Sequence, residues 1–153
     1  MKIIYSCYGG AHTSIVAAGI HLGLLPTKRV PKVREIMAIP YYDYTSSKCI
    51  GIPIYMGKDK DNHDIYVVGM GSARRELTQL VYDYVYHHNR YSIKEVLVVN
   101  SIALINLPVR IGGFISKKIN IIAIGKPITA YGIQKNYMLF VDLVKNVKAV
   151  IDP

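Results

Sequence analysis

Tryptophan is absent from this chain, and phenylalanine and cysteine each occur only twice. Two cysteines cannot staple a fold, so a disulfide scaffold is excluded and Cys7 and Cys49 are expected as reduced thiols. Charged side chains make up 19% of the 153 residues and hydrophobic ones 51%, a balance that rules out a disordered chain. No uninterrupted apolar run approaches the ~20 residues of a membrane-spanning helix, and no membrane partner is expected. The opening MKIIYSCYGGAHTSIVAAGIHLGLL sets a lysine ahead of apolar residues, as a secretory signal does. Gly9, Gly10, His12, Thr13 and Ser14 break that run and no small-residue cleavage site follows, so a cytoplasmic location is expected.

Acidic residues are also scarce, ten against nineteen basic ones, giving a net charge of +9. Such a charge favours anionic partners. The basic residues are spread along the chain, and TKRVPKVR at 27–34 is their one cluster, readable as a solvated loop or as a contact for nucleic acid.

What is present alternates between two patterns. KIIYS at 2–6 is a β-rich run that ends in a glycine pair and leads into a helix so apolar that it must be buried on most sides. Residues 26–50 form an irregular, lid-like excursion with a short helix near Val33–Met37 and the tyrosine group YYDY. GIPIYMG and DIYVVGMG flank a polar turn and read as a hairpin. From Ala73 to His88, Leu77, Leu80, Val81, Tyr84, Val85 and His88 recur at helical spacing. EVLVVNS at 95–101 and NIIAIG at 120–125 look like strands buried on both faces. A helix over 108–117 begins at Pro108, and another closes the chain. The expected fold is a single α/β domain over 1–153. It is a three-layer sandwich with a mostly parallel sheet of about five strands, one hairpin, and helices on both faces, Rossmann-like or P-loop-like.

In such a sheet ligands bind where strands lead into helices. Four loops are expected there: CYGGAHTS, GMGSARRE at 69–76, the turn after Asn100, and IGKPIT at 124–129. Gly9 and Gly10 permit a tight turn, and Thr13 and Ser14 open a helix whose N-terminus favours anions. Gly71, Ser72, Arg74, Arg75, Asn100 and Lys126 complete the expected ligand-binding set. The loop lacks the lysine and spacing of G-x-x-x-x-G-K-[ST], which argues against ordinary ATPase chemistry. His12 is the acid–base candidate. Cys7 is a nucleophile candidate, but a cysteine phosphatase needs arginine six positions later, where Thr13 stands. His21, His87 and His88 read as structural, while Tyr8, Tyr41, Tyr42 and Tyr131 could stack on a base. No metal is expected, since DKDNHD lacks the glycine and distal glutamate of a calcium loop.

YSCYGGAHTSIVAAGIHLG, NLPVRIGGFIS and YGIQKNY together resemble a family of small uncharacterised bacterial proteins, a domain of unknown function found mainly in spore-forming bacteria. The resemblance makes the glycine–histidine–hydroxyl loop, Arg110, Gly112, Gly113, Gly132 and Gln134 family features and carries no activity. Two readings of function stand. One is a protein that binds a phosphorylated small molecule or nucleotide, with phosphoryl transfer or phosphate-ester hydrolysis as its enzymatic form. The other is a non-enzymatic module binding nucleic acid or protein through its basic, tyrosine-rich surface. A homodimer is compatible with both, and no cofactor is assigned.

Overall fold

A computed structural model describes residues 1–45, 49–88, 92–117 and 122–151. Four strands, β1 (Lys2–Cys7), β2 (Ile54–Lys58), β3 (Asp64–Gly69) and β4 (Val96–Asn100), form one sheet in the order β2-β3-β1-β4. β1 runs parallel to both β3 and β4, whereas β2 closes an antiparallel hairpin with β3. Six α-helices among the described residues surround it: α1 (Thr13–His21), α2 (Val33–Met37), α3 (Arg74–His87), α4 (Leu107–Lys117), α5 (Ile122–Lys135) and α6 (Tyr137–Ile151).

Alternation along the strands decides which face is covered. Ile3, Tyr5, Ile65 and Val67 share one face and are fully buried. That face packs on α1, all of whose residues are buried, and α1 in turn packs on α6. Burying each such aliphatic side chain stabilises the fold by roughly 1.5–3 kcal/mol. The other face carries Ile4, Tyr66 and Val98, which are only half-buried. On the outer edge of β4, the Val98 amide donates to the Tyr82 hydroxyl of α3 at 3.0 Å, which blunts an edge that could otherwise pair with another strand.

Two expectations need correction. The expected strand at 120–125 is not found among the described residues: residues 122–125 begin α5, and residues 120 and 121 lie outside them. The sheet is therefore an open, four-stranded one in a mixed α/β fold, without the clear three layers of a Rossmann or P-loop domain. A short apolar run cannot by itself be told from a buried helix segment. Here the run continues into a helix that packs closely on α4. A Cβ on Gly125 would sit 2.5 Å from the Ser116 amide, and one on Gly112 would sit 2.7 Å from the Thr129 amide. The glycines allow the two backbones to meet, which a strand reading could not foresee. In α3, Leu80 and Tyr84 are exposed although helical spacing assigned them to the apolar face, and Val85 is the buried residue.

Candidate functional site

The C-terminal ends of β1, β3 and β4 lie along one sheet edge because these strands are parallel. Backbone contact pins the first loop there. Gly10 has φ +68°, and a Cβ on it would lie 2.7 Å from the Gly69 amide, so no other residue fits without movement. The Met70 and Gly71 amides donate to the Cys7 and Tyr8 carbonyls, each at 2.9 Å. Gly9 has open space on its Cβ side. The amides of Gly9, Ala11, His12 and Thr13 find no acceptor among the described residues. Unpaired donors leading into a helix N-terminus are the groups that hold an anion.

The loop side chains are less available than the sequence suggests. Thr13 and Ser14 are buried. Ser101 donates its hydroxyl proton to the Ser6 carbonyl at 2.9 Å, and its Oγ lies 3.2 Å from the Thr13 hydroxyl. Ser14 Oγ lies 3.1 Å from Cys7 Sγ, which accepts the Gly10 amide at 3.1 Å. Cys7 is only 5% exposed.

His12 occupies the N-cap position of α1 without capping it. Its ring reaches away, and Nε2 meets Asp43 Oδ1 at 2.9 Å. The Asp43 side chain is fully buried, and its Oδ2 accepts the Ser116 hydroxyl at 2.6 Å. The irregular excursion delivers this carboxylate: Tyr41 and Asp43 adopt φ of 64° and 59°, and the Asp43 amide donates to the Ala11 carbonyl at 2.9 Å. Thr45 Oγ1 donates to the Gly9 carbonyl at 3.1 Å. The Tyr42 ring stands edge-on to His12 with centroids 5.5 Å apart. Burial pushes the Tyr42 phenol above its ordinary range, so it stays protonated and donates to Thr129 Oγ1 at 2.9 Å. With Nε2–H directed at the carboxylate, Nδ1 is left without a partner among the described residues and can accept a proton. The ring lies against Gly113 of α4, where a Cβ would make ordinary contact at 3.6 Å from Cε1.

The remaining expected residues divide. Lys126 comes to the site from within α5, its Nζ 5.9 Å from the Tyr42 ring centroid, so IGKPIT is not a strand-to-helix loop. Arg74 folds back onto the Gly71 carbonyl. Arg75 and Ser72 are exposed, and Gly71 is buried with φ +55°. Asn100 uses Oδ1 to accept the Ile102 amide at 3.0 Å, which shapes its own turn. Asp43 and Ser116 were not foreseen, and Thr129 was expected only as part of the IGKPIT loop. One signal was present for Asp43, the lone acidic residue between Glu35 and Asp59. No spacing rule ties Ser116 or Thr129 to it.

Residues 2–149 match the family described as Protein of unknown function (DUF3189). The chain belongs to that family. The match spans the glycine loop, the Asp43 excursion, α4 and α5, so the whole candidate site lies within the DUF3189 domain. No curated protein and no solved structure matches the chain.

Proposed function

We propose that this DUF3189 domain binds a phosphorylated small molecule or nucleotide on the amides of Gly9, Ala11, His12 and Thr13, and that His12 moves a proton in phosphate-ester hydrolysis or phosphoryl transfer there. The observation that carries the reading is the buried Asp43 carboxylate fixing His12 Nε2 beside four loop amides with no acceptor among the described residues. A carboxylate so placed selects one imidazole tautomer and stabilises the imidazolium that forms when Nδ1 takes a proton. In hydrolysis the proton leaves the attacking water, and His12 returns it to the departing oxygen. Lys126 is the nearby cation for the phosphate.

A thermal-shift panel of nucleotides and phosphate esters tests binding, because a ligand of the native state raises the melting temperature. With the best ligand, His12→Gln should lower turnover by about 10²–10⁴-fold, the usual share of general acid–base catalysis. Its binding of that ligand should change much less. Turnover equal to that of the native chain, or a panel without any stabilising ligand, overturns the proposal.

One observation favours a second reading, in which Cys7 is the nucleophile. The Gly10 amide and the Ser14 hydroxyl both lie on Sγ, where they would stabilise a thiolate. Alkylation at Cys7 that abolishes turnover, with His12→Gln still active, would establish it. The nucleic-acid reading has less support, since Arg29 of the basic cluster is held by Glu35 at 2.6 Å.

A further inference from the structure

The outer face of α4 takes no part in the site. Inward, Gly112 packs on α5, Gly113 backs the His12 ring and Ser116 holds Asp43. The opposite side carries Leu107, Ile111 and Phe114 at spacings of four and three, exposed by 66%, 47% and 58%. Arg110 is exposed among them. A helix apolar on both sides calls for cover on both. Ile122 and Ile124, at the start of the packed neighbour α5, are exposed as well.

The sequence around this face has one sign of charge. Residues 96–141 hold no Asp or Glu, and the cation described on this face is Arg110, Lys126 lying at the site beside Tyr42. A second copy of the chain would bring like charges together with no carboxylate from this region to receive Arg110. Nucleic acid would leave three large apolar side chains without an apolar partner. A protein interface carries about one hydrogen bond per 100–200 Å² and a polar rim, whereas the exposed side chains described on α4 are three hydrocarbons and one guanidinium. An anionic bilayer surface offers both halves of the complement, an acyl boundary for the hydrocarbons and phosphates for Arg110.

We propose that the outer face of α4 docks on an anionic lipid surface, with Leu107, Ile111 and Phe114 entering the headgroup–acyl boundary and Arg110 lying among the phosphates. Contact of this kind needs no spanning helix, and no helix among the described residues is long and apolar enough to span. The docking face and the glycine loop are separate, so each proposal can fail without the other.

The test is co-sedimentation of the full chain with phosphatidylglycerol-containing vesicles and with pure phosphatidylcholine vesicles at several salt concentrations. Circular dichroism verifies that each variant is folded. Binding is expected to the anionic vesicles alone, to weaken with salt, and to fall about tenfold in Phe114→Ser, as loss of one buried aromatic side chain implies. Leu107→Ser provides a second variant should the first not fold. Partitioning should be unchanged in His12→Ala and in excess inorganic phosphate at constant ionic strength, which separates a lipid surface from phosphate held by the loop. Absence of binding, equal binding to neutral vesicles, or full binding by both serine variants overturns the proposal. So does a stable dimer in sedimentation equilibrium that Phe114→Ser splits.

Discussion

At the scale of single residues, two adjacent glycines separate constraint from convenience. Gly10 combines a left-handed φ with a backbone neighbour at 2.7 Å, while Gly9 faces open space. Gly10→Ala should therefore destabilise the fold by about 2 kcal/mol or more, and Gly9→Ala by less than about 0.5 kcal/mol. Urea denaturation midpoints compare them directly, and equal shifts would contradict the packing described. Asp43 sits at φ 59°, a conformation that asparagine also tolerates. Asp43→Asn consequently removes the charge without adding backbone strain, but sets an NH2 against one of the two donors the carboxylate receives, so turnover should fall with a stability loss of about 1–3 kcal/mol. Ser116→Ala deletes one hydrogen bond to the buried Asp43 carboxylate and should cost about 1–3 kcal/mol of stability.

At the scale of elements, α1 joins two different polar systems. Its N-terminus bears the site, and its C-terminus ends in a buried chain of polar groups. The Tyr5 hydroxyl lies 2.7 Å from His21 Nδ1, His21 Nε2 lies 2.9 Å from Asp59 Oδ2, and His63 Nδ1 reaches the same oxygen at 3.1 Å. Lys148 of α6 donates to the His21 carbonyl at 3.1 Å. Tyr5→Phe would strip His21 Nδ1 of this donor inside the core and should cost about 1–3 kcal/mol, read from the shift in denaturation midpoint. Much of the element order was legible in the sequence. β1, the buried α1, the hairpin and α3 all follow from period and turn residues. What was not legible depended on contacts across the chain. The 122–125 run lies in a helix whose Gly125 meets Gly112 and Ser116 of α4, and on α3 Leu80 is exposed while Val85 is the buried residue. The glycine loop and His12 were visible as a unit. Their carboxylate was not, since Asp43 comes from the excursion at 26–50 and is held by Ser116, 73 residues away.

For the whole molecule, the buried polar chain sets a dependence on pH. Burial lowers the His21 pKa; the bond to Asp59 works in the opposite direction, and the nearby Lys148 adds to the lowering. The unfolded chain takes up a proton at His21 near pH 6.5 while the native one resists it, so stability falls as pH drops below that value. Burial alone would raise the Asp59 carboxyl, but hydrogen bonds from the His63 amide and from the His21 and His63 rings hold it down at about 2. Its contribution is complete above the ordinary carboxylate range and is lost as pH falls towards 2. Melting temperatures between pH 7.5 and 5 should decline, and His21→Gln should flatten that decline; an unchanged slope would remove His21 as the cause.

The claim that the loop amides beside His12 hold a phosphorylated ligand is tested most directly by amide chemical shifts during a titration with inorganic phosphate. Saturable shifts are expected at Gly9, Ala11, His12 and Thr13, followed by Asp43 and Thr45 on the covering excursion. Shifts confined to Lys28, Arg29, Lys32 and Arg34, or no saturable shift in residues 9–13, would contradict it.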